Sequence, residues 1–492
     1  MMNKILLASS YFLKQDPKEY NAMNLYAPLG TLYAASYLKQ KGYSVSLFDT
    51  MLADSETDLT KELQLHKPDI FVIYDDGFNY LTKMCLTRMR EAAFKMSNIA
   101  KESGCKVIVS GSDATDHLDK YFLNKADYII CGEGEITLGE IADKLNNTSQ
   151  KELCEINGLA YLNNNEIIRT DKRQVIKDPD SLPFPDRSLI DIDRYREQWK
   201  KHHGYFSINV VTTRGCPYHC NWCAKPIYGQ VYNSRSPENV AAELKFLKET
   251  YSPDHIWFCD DIFGLKPNWI NKFDEIVNKE DAKLKFKCLS RADLLLKDNN
   301  ISHLASAGCD SIWIGAESGS QKILDAMDKG TKVEQIYEAR MLLKKNKIKT
   351  CFFLQLGYTG ETKDEIDLTV KMVKDLMPDD IGISVSYPLP GTKFYDRVLS
   401  QMKTKQNWER SDDFEMMFDG EYTTKYYKIL HKKVHKEFRS RQILKEPIKR
   451  FKSFWKLPYY LAGWWWNYIR LKFSEKKEKR KELISSYQLK SV

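Results

Sequence analysis

No apolar run in this 492-residue chain reaches the roughly 18 residues that a membrane-crossing helix needs, so no spanning segment is expected. The amino end lacks the succession of charged, apolar and small residues that marks a secretory leader. It enters the strand-like run Lys4-Ile5-Leu6-Leu7-Ala8 directly. The cysteines lack the spacing of a disulfide framework. Cys85, Cys105, Cys131, Cys154, Cys259, Cys288, Cys309 and Cys351 are scattered, mostly in apolar runs, as buried free thiols commonly are. A reducing, cytoplasmic location follows as the expectation. No RNA- or DNA-binding motif is present, so nucleic acid is not an expected partner.

The three remaining cysteines stand together in Arg214-Gly215-Cys216-Pro217-Tyr218-His219-Cys220-Asn221-Trp222-Cys223, spaced C-x3-C-x2-C. Soft sulfur ligands suit iron–sulfur clusters, and four cysteines are the usual set. Three thiolates at Cys216, Cys220 and Cys223 would leave one iron of a [4Fe-4S] cluster open to a ligand, which points to chemistry more than electron storage. A zinc site is the alternative. Zinc sites usually show paired C-x2-C units and a fourth Cys or His, and His219 lies inside the loop between two of the cysteines.

Around this loop the chain alternates short apolar strands with helical patterns, which implies parallel α/β sheets. Residues 1–150 hold strand candidates at Lys4–Ser9, Tyr43–Asp49, Asp69–Tyr74, Lys106–Ser110 and Tyr128–Cys131, a Rossmann-like pattern. Their carboxyl ends, where such sheets bind ligands, carry Ser9-Ser10, Asp75-Asp76-Gly77, Gly111-Ser112-Asp113 and Gly132-Glu133-Gly134-Glu135. Residues 151–207 read as a linker with a β-hairpin and a proline-punctuated stretch from Asp178 to Pro185. Residues 208–400 hold six further strand–helix repeats, too few for a closed eight-stranded barrel. Helices are expected at Leu81–Glu102 and Asp293–Ala307, among others, and at Pro237–Thr250 with Ser236 as N-cap.

The cysteine run resembles the cluster motif of radical S-adenosylmethionine (SAM) enzymes, and the six repeats match that family's open (β/α)6 partial TIM barrel. The motifs follow in order: Asp260-Asp261, Ser290-Arg291-Ala292-Asp293, Gly315-Ala316-Glu317-Ser318-Gly319-Ser320, Leu356-Gly357-Tyr358-Thr359-Gly360-Glu361-Thr362 and Tyr387-Pro388-Leu389-Pro390-Gly391-Thr392. Tyr358-Thr359 departs from the family's usual turn. The resemblance implies that Cys216, Cys220 and Cys223 hold the cluster, with Tyr218, Trp222, Asp260, Arg291 and Glu317 at the SAM site. Glu317 could accept hydrogen bonds from ribose or ammonium, and Arg291 could pair with the methionyl carboxylate. For Asp260, Asp261 and Arg291 a salt bridge at the barrel mouth is the competing reading.

Residues 1–150 resemble the cobalamin-binding domain that precedes many radical SAM cores. The likeness rests on Ala27-Pro28-Leu29-Gly30-Thr31-Leu32, Ser110-Gly111-Ser112-Asp113-Ala114-Thr115 and Gly132-Glu133-Gly134-Glu135. It implies cobalamin contacts from Pro28, Leu29, Gly30, Asp76, Gly111, Ser112, Gly132, Glu133 and Gly134. The second motif departs from the family's, and no D-x-H-x-x-G run is present. A sheet that had lost cobalamin would read the same way. The group includes class B methyltransferases and an anaerobic Mg-protoporphyrin ester cyclase. The implied reaction is therefore SAM cleavage to a 5′-deoxyadenosyl radical and C-methylation of an unactivated carbon, with radical cyclisation or rearrangement as the alternative. A small-molecule or lipid-like substrate and a low-potential electron donor such as flavodoxin or ferredoxin are implied with it.

Residues 401–492 read as a basic aromatic helical tail. From Lys425 onward the chain carries 20 Lys/Arg and 5 Asp/Glu, a net of +15 in a chain of net +8. Trp455, Tyr459, Tyr460, Trp464, Trp465, Trp466 and Tyr468 cluster there. Such rings either pack on the barrel with the charges in water, the reading preferred, or lie at the inner face of a membrane as a peripheral anchor.

Overall fold

The computed structural model describes residues 4–445, 447–448 and 451–489, with residues 451–452 and 475–489 by backbone alone. Five of the expected strands form a parallel sheet: β1 Lys4–Ala8, β2 Ser44–Phe48, β3 Ile70–Tyr74, β4 Lys106–Ser110 and β5 Tyr128–Ile130. All five residues of β3 are buried, as an unbroken apolar strand must be when helices cover both faces. The hairpin β6 Leu159–Asn163 and β7 Glu166–Arg169 pairs antiparallel with β5. It completes a seven-stranded sheet in the order β2-β1-β3-β4-β5-β6-β7, so the hairpin read as linker belongs to the first sheet.

The rest of the linker straps the second layer. Arg187 is buried, donating to Glu243 (3.1 Å) and to the Asn209 carbonyl (2.7 Å). Asp180 caps the backbone N–H of Ser236 at 3.0 Å.

The second sheet is wholly parallel. It comprises β8 Ser207–Val210, β11 His255–Phe258, β12 Lys285–Ser290, β13 Cys309–Glu317, β14 Lys349–Leu356 and β15 Asp380–Val385, in the order β15-β14-β13-β12-β11-β8. Between β8 and β11 a two-stranded ribbon, β9 Thr213–Arg214 with β10 Asn233–Ser234, pinches the base of the cysteine loop. Side chains of one pleat face, such as Ile256, Phe286, Ile312 and Phe352, are fully buried in the main core under the helices. The other face looks into the barrel.

Three expectations change. The helix expected over Leu81–Glu102 is two, Tyr80–Lys83 and Thr87–Glu102, broken where Cys85 takes a left-handed φ of 53°. The helix expected over Asp293–Ala307 breaks likewise at Asp298 and Asn299 (φ 49° and 55°). The barrel also reaches further along the chain than residue 400. Trp408, Met416, Met417 and Phe418 are in its core, and so are Tyr426, Tyr427, Ile429, Leu430, Val434 and Phe438 of the helix Thr424–Lys445. The aromatic helix Leu457–Leu489 returns along that helix, with Lys433 near Tyr468 and Lys436 near Tyr459.

Candidate functional site: a cysteine loop at the junction of two α/β layers

The cysteine loop leaves the carboxyl end of β8. Gly215 begins it with φ 85°, and a Cβ there would lie 2.4 Å from the Val231 carbonyl, so only glycine passes the pinch. Cys216 is buried and Cys220 and Cys223 are half-buried, all free. Burial raises the Cys216 thiol above its ordinary range and pushes Cys223 up to about 12. Such thiols are poor nucleophiles when protonated, and a metal that binds them deprotonates them outright. Among the described residues no three His, Cys, Asp or Glu side chains converge on a single ion. A cubane cluster takes each thiolate on a separate iron, and the free loop thiols fit that donor set.

The groups the sequence pointed to gather beside Cys220. Arg291 stacks on the Tyr218 ring at 3.7 Å, and its Nη1 lies 3.9 Å from Cys220 Sγ. It is anchored on Asp293 (2.9 Å), the Lys329 carbonyl (2.7 Å) and Thr331 (2.9 Å). Glu317 ends β13 with a left-handed φ of 58° and accepts from Lys329 Nζ at 2.8 Å, a buried pair. The Trp222 indole N–H is buried and has no hydrogen-bond partner among the described residues. Buried donors are seldom left so, and this one fits an acceptor on a bound SAM.

Asp260 accepts from Thr212 N (2.7 Å), Thr213 N (2.6 Å) and Thr213 Oγ1 (2.9 Å) on Oδ1 and from Thr212 Oγ1 (3.0 Å) on Oδ2, so it braces the approach to the cysteine loop while Oδ2 can still accept a further bond. Asp261 pairs with Lys83 of the first layer at 2.6 Å.

Other positioning residues were not evident in the sequence. Asn221, inside the motif, donates to the Ala326 carbonyl (2.8 Å) and Asp328 (2.9 Å) and accepts from Tyr358 Oη (2.7 Å). Tyr358, the residue that departs from the family's turn, stacks on Phe394 at 4.8 Å and so ties the β14 loop to the cysteine loop. Lys329 had no signal beyond a polar Asp-Lys-Gly run after a short helix.

Arg214 joins the two layers. Its guanidinium donates to Glu133 and, at 2.8 Å, to Glu135, with Tyr33, Phe78 and Tyr228 around it at 5.3–5.6 Å. Glu133 also accepts from the Ile176 N–H. Both carboxylates of the Gly-Glu-Gly-Glu run are therefore engaged by Arg214, with Glu133 taking one bond on each oxygen.

The remaining expected cobalamin residues divide. Pro28 and Asp76 line a cavity of about 360 Å³ between the layers, together with Ser9, Tyr11, Asn79 and Trp257. It sits outside the ends of β1 and β3, where the strand order reverses, the usual ligand position in such sheets. Asp76 caps the start of the earlier helix Leu29–Gln40, accepting from the Leu29 and Gly30 N–H groups and also from that of Phe78, at 3.0–3.1 Å. Gly30 permits this approach, since a Cβ there would lie 3.1 Å from the Asp76 carboxylate. Leu29 and Ser112 are buried, Gly111 lies by Asp75, Gly134 by the Tyr74 ring, and Gly132 faces the Ile227 carbonyl. The cavity's polar rim suits the amide side chains of a corrinoid. The enclosed space between these residues is small, so a whole corrinoid requires the interface to widen.

On the inner face of the barrel, Trp313 and Phe353 stack at 4.5 Å, and Lys287 Nζ lies 4.9 Å from the Trp257 ring centre. Burial lowers the Lys287 ammonium to about 8.

Residues 210–373 match the radical SAM superfamily. Over 390 residues the chain is 26% identical to an uncharacterised methyltransferase of Pyrococcus horikoshii, covering 78% of this chain and 81% of that one. The fold is similar to that of TsrM from Kitasatospora setae, a radical SAM methyltransferase solved with cobalamin and a [4Fe-4S] cluster. There the TM-score is 0.66 at 18% identity, over 81% of this chain and 78% of the other. It is also similar to OxsB, a cobalamin-dependent SAM radical enzyme solved with aqua-cobalamin, with a TM-score of 0.63 at 23% identity over 76% of this chain. The chain spans about half (52%) of the length of OxsB. At these identities the structural likenesses establish the fold.

Proposed function

The chain carries a radical SAM domain, and from that premise we propose that it is a cobalamin-dependent radical SAM enzyme that methylates an unactivated carbon. The observation that carries this reading is the pinned loop of three free thiols, with Arg291, Lys329 and Glu317 gathered beside Cys220 and the unpartnered Trp222 N–H nearby. Cys216, Cys220 and Cys223 would hold a [4Fe-4S] cluster, which when reduced would supply the electron for SAM cleavage, and a bound cobalamin would supply the methyl group.

The chain's own residues bind and shield. Arg291 offers its remaining guanidinium edge to the methionyl carboxylate of SAM, and Glu317 offers its free carboxylate oxygen to the ammonium or ribose. Tyr218 backs the guanidinium and Trp222 donates to the nucleoside. The first layer, latched on by Arg214, covers the carboxyl ends of the barrel strands and excludes water from a reactive radical. Cobalamin belongs at the β1/β3 cavity, because that cavity lies outside the switch point of the first sheet, where such sheets bind ligands. The apolar inner face with Trp257, Trp313 and Phe353 suits the body of a small or lipid-like substrate.

The test is anaerobic incubation with SAM and a chemical reductant, with 5′-deoxyadenosine measured. The wild-type protein should form it, and Cys220→Ala should lose it by on the order of a hundredfold or more while keeping its circular dichroism. Full activity in that variant would remove the cluster assignment. With a substrate in hand, SAM consumption without labelled methyl in the product would move the reading to cyclisation or rearrangement.

A further inference from the structure

The helical hairpin at the carboxyl end turns outward a set of rings that the barrel does not use. In the helix Leu457–Leu489, Leu457, Asn467 and Leu471 are buried against the rest of the protein, and Trp464 donates to Glu437 at 3.2 Å. These contacts fix which side of the helix faces inward. On the other side Trp455 (74% exposed), Tyr459 (65%), Trp465 (56%), Trp466 (61%) and Phe473 (69%) stand in water, with Phe454 and Leu461 beside them. Tyr459, Trp466 and Phe473 recur every seven residues, two helical turns apart, so they form one stripe. Lone exposed rings are ordinary on a soluble surface, whereas a contiguous stripe of this kind marks an interaction face. Of the aromatics read from the sequence, Tyr460 and Trp464 are half-buried, whereas Trp455, Tyr459, Trp465 and Trp466 are exposed.

Cations accompany the stripe. Lys436 lies 3.2 Å from the Tyr459 ring centre, Lys472 lies 5.8 Å from that of Tyr468, and Lys456 lies 5.2 Å from that of Trp455. Arg470 is exposed on the same helix. Among the described residues no helix is long and apolar enough to cross a membrane, so the rings can enter a bilayer only from its surface.

We propose that this stripe docks the enzyme on the surface of an anionic lipid bilayer. Tryptophan and tyrosine place an apolar body and a polar edge at the water–lipid boundary, and flanking lysines reach the headgroups. Charge selects the occupant. The chain from Lys425 onward carries a net +15, so a second copy seated on this face would set like charge against like, whereas an anionic leaflet complements it. The face is a convex helix, without the groove that tracks a single-stranded nucleic acid.

The test uses the whole protein, purified anaerobically with its iron content recorded, and vesicles of phosphatidylcholine alone or mixed with phosphatidylglycerol. The wild-type protein should sediment with the mixed vesicles, less so as salt rises, with a blue shift of tryptophan emission. Replacing Lys456, Arg470 and Lys472 together by Gln should lower partition by about a hundredfold, at about fivefold per charge. Replacing Trp455, Trp465 and Trp466 together by Ala should abolish the blue shift and weaken binding on the order of a hundredfold, with unchanged circular dichroism. Absence of sedimentation with any vesicle would overturn the proposal. So would binding that survives loss of the three rings, or a concentration-dependent dimer abolished by the same three substitutions. Each of these outcomes is independent of whether iron is present, so the docking claim and the radical enzyme reading fail separately.

Discussion

Arg214 is the residue on which the two layers depend most. It immediately precedes the cysteine loop, and its guanidinium is buried with Glu133 and Glu135 of the first layer. Removing one member of a buried ionic group leaves the others unpaired, at a cost of about 3–5 kcal/mol. Arg214→Met should destabilise by about that amount and also lower the iron bound per chain, because the ribbon that pinches the loop loses its anchor. Urea unfolding and iron assay check the two halves. A variant that unfolds normally and binds full iron would show that the latch positions nothing.

A second residue makes a statement about pH. Glu361 is buried in the turn after β14 and accepts from the Gly357 N–H, and its other oxygen has no hydrogen-bond partner among the described residues. Burial raises its carboxyl from 4.5 to about 8. The folded state therefore keeps a proton that the unfolded chain releases near 4.5. The stability this contributes is complete below that pH and is lost as pH rises through 8, on the order of 4 kcal/mol across the window. Glu361→Gln keeps the shape without the charge. Its urea midpoint should exceed that of the wild type at pH 9 and match it at pH 5, and equal midpoints at both would contradict the assignment.

Among the elements, the helix Thr424–Lys445 carries the clearest prediction. Tyr426, Tyr427, Ile429, Leu430, Val434 and Phe438 are buried in the barrel core. At about 1.5–3 kcal/mol for each large apolar side chain, their loss exceeds the 5–15 kcal/mol that holds an ordinary domain together. A chain ending at residue 423 should be insoluble, while one ending at residue 445 should retain a cooperative thermal transition. Soluble expression and thermal unfolding of the two truncations decide it.

The same helix shows where reading the sequence ran out. Its face toward solvent is lined with Lys425, Lys428 and Lys432, and the run Thr424–Lys445 looked like a basic tail because charge masked the buried stripe. β1 and β3 were legible because they are apolar runs buried on both faces. The breaks at Cys85 and Asn299 depend on left-handed backbone that the residue types do not demand. The cysteine loop was legible because its ligands are local in the chain. Tyr358 meets Asn221 across 137 residues, and Arg214 meets Glu135 across 79, so only the folded chain brings them together.

At the scale of the whole molecule, a largely parallel sheet and a wholly parallel one meet at a cavity, one contributing the switch point of β1 and β3 and the other the strand ends that carry the cysteine loop. Each half alone would leave its strand ends open to water. Together they line a partly covered cavity with Asp76 and Trp257 in its walls and Lys83–Asp261 and Arg214–Glu133 as ties across the junction. The aromatic hairpin lies along the outer side of the barrel, against the helix that completes its core.

The measurement that tests the central claim most directly is the metal content of the protein purified anaerobically from cells supplied with cobalamin. Iron, sulfide, cobalt and zinc should be assayed per chain, beside the visible spectrum. The account predicts about four irons with matching sulfide and one cobalt. Iron without cobalt would retain the radical enzyme and remove the corrinoid from the cavity, and zinc without iron would contradict the account at its centre.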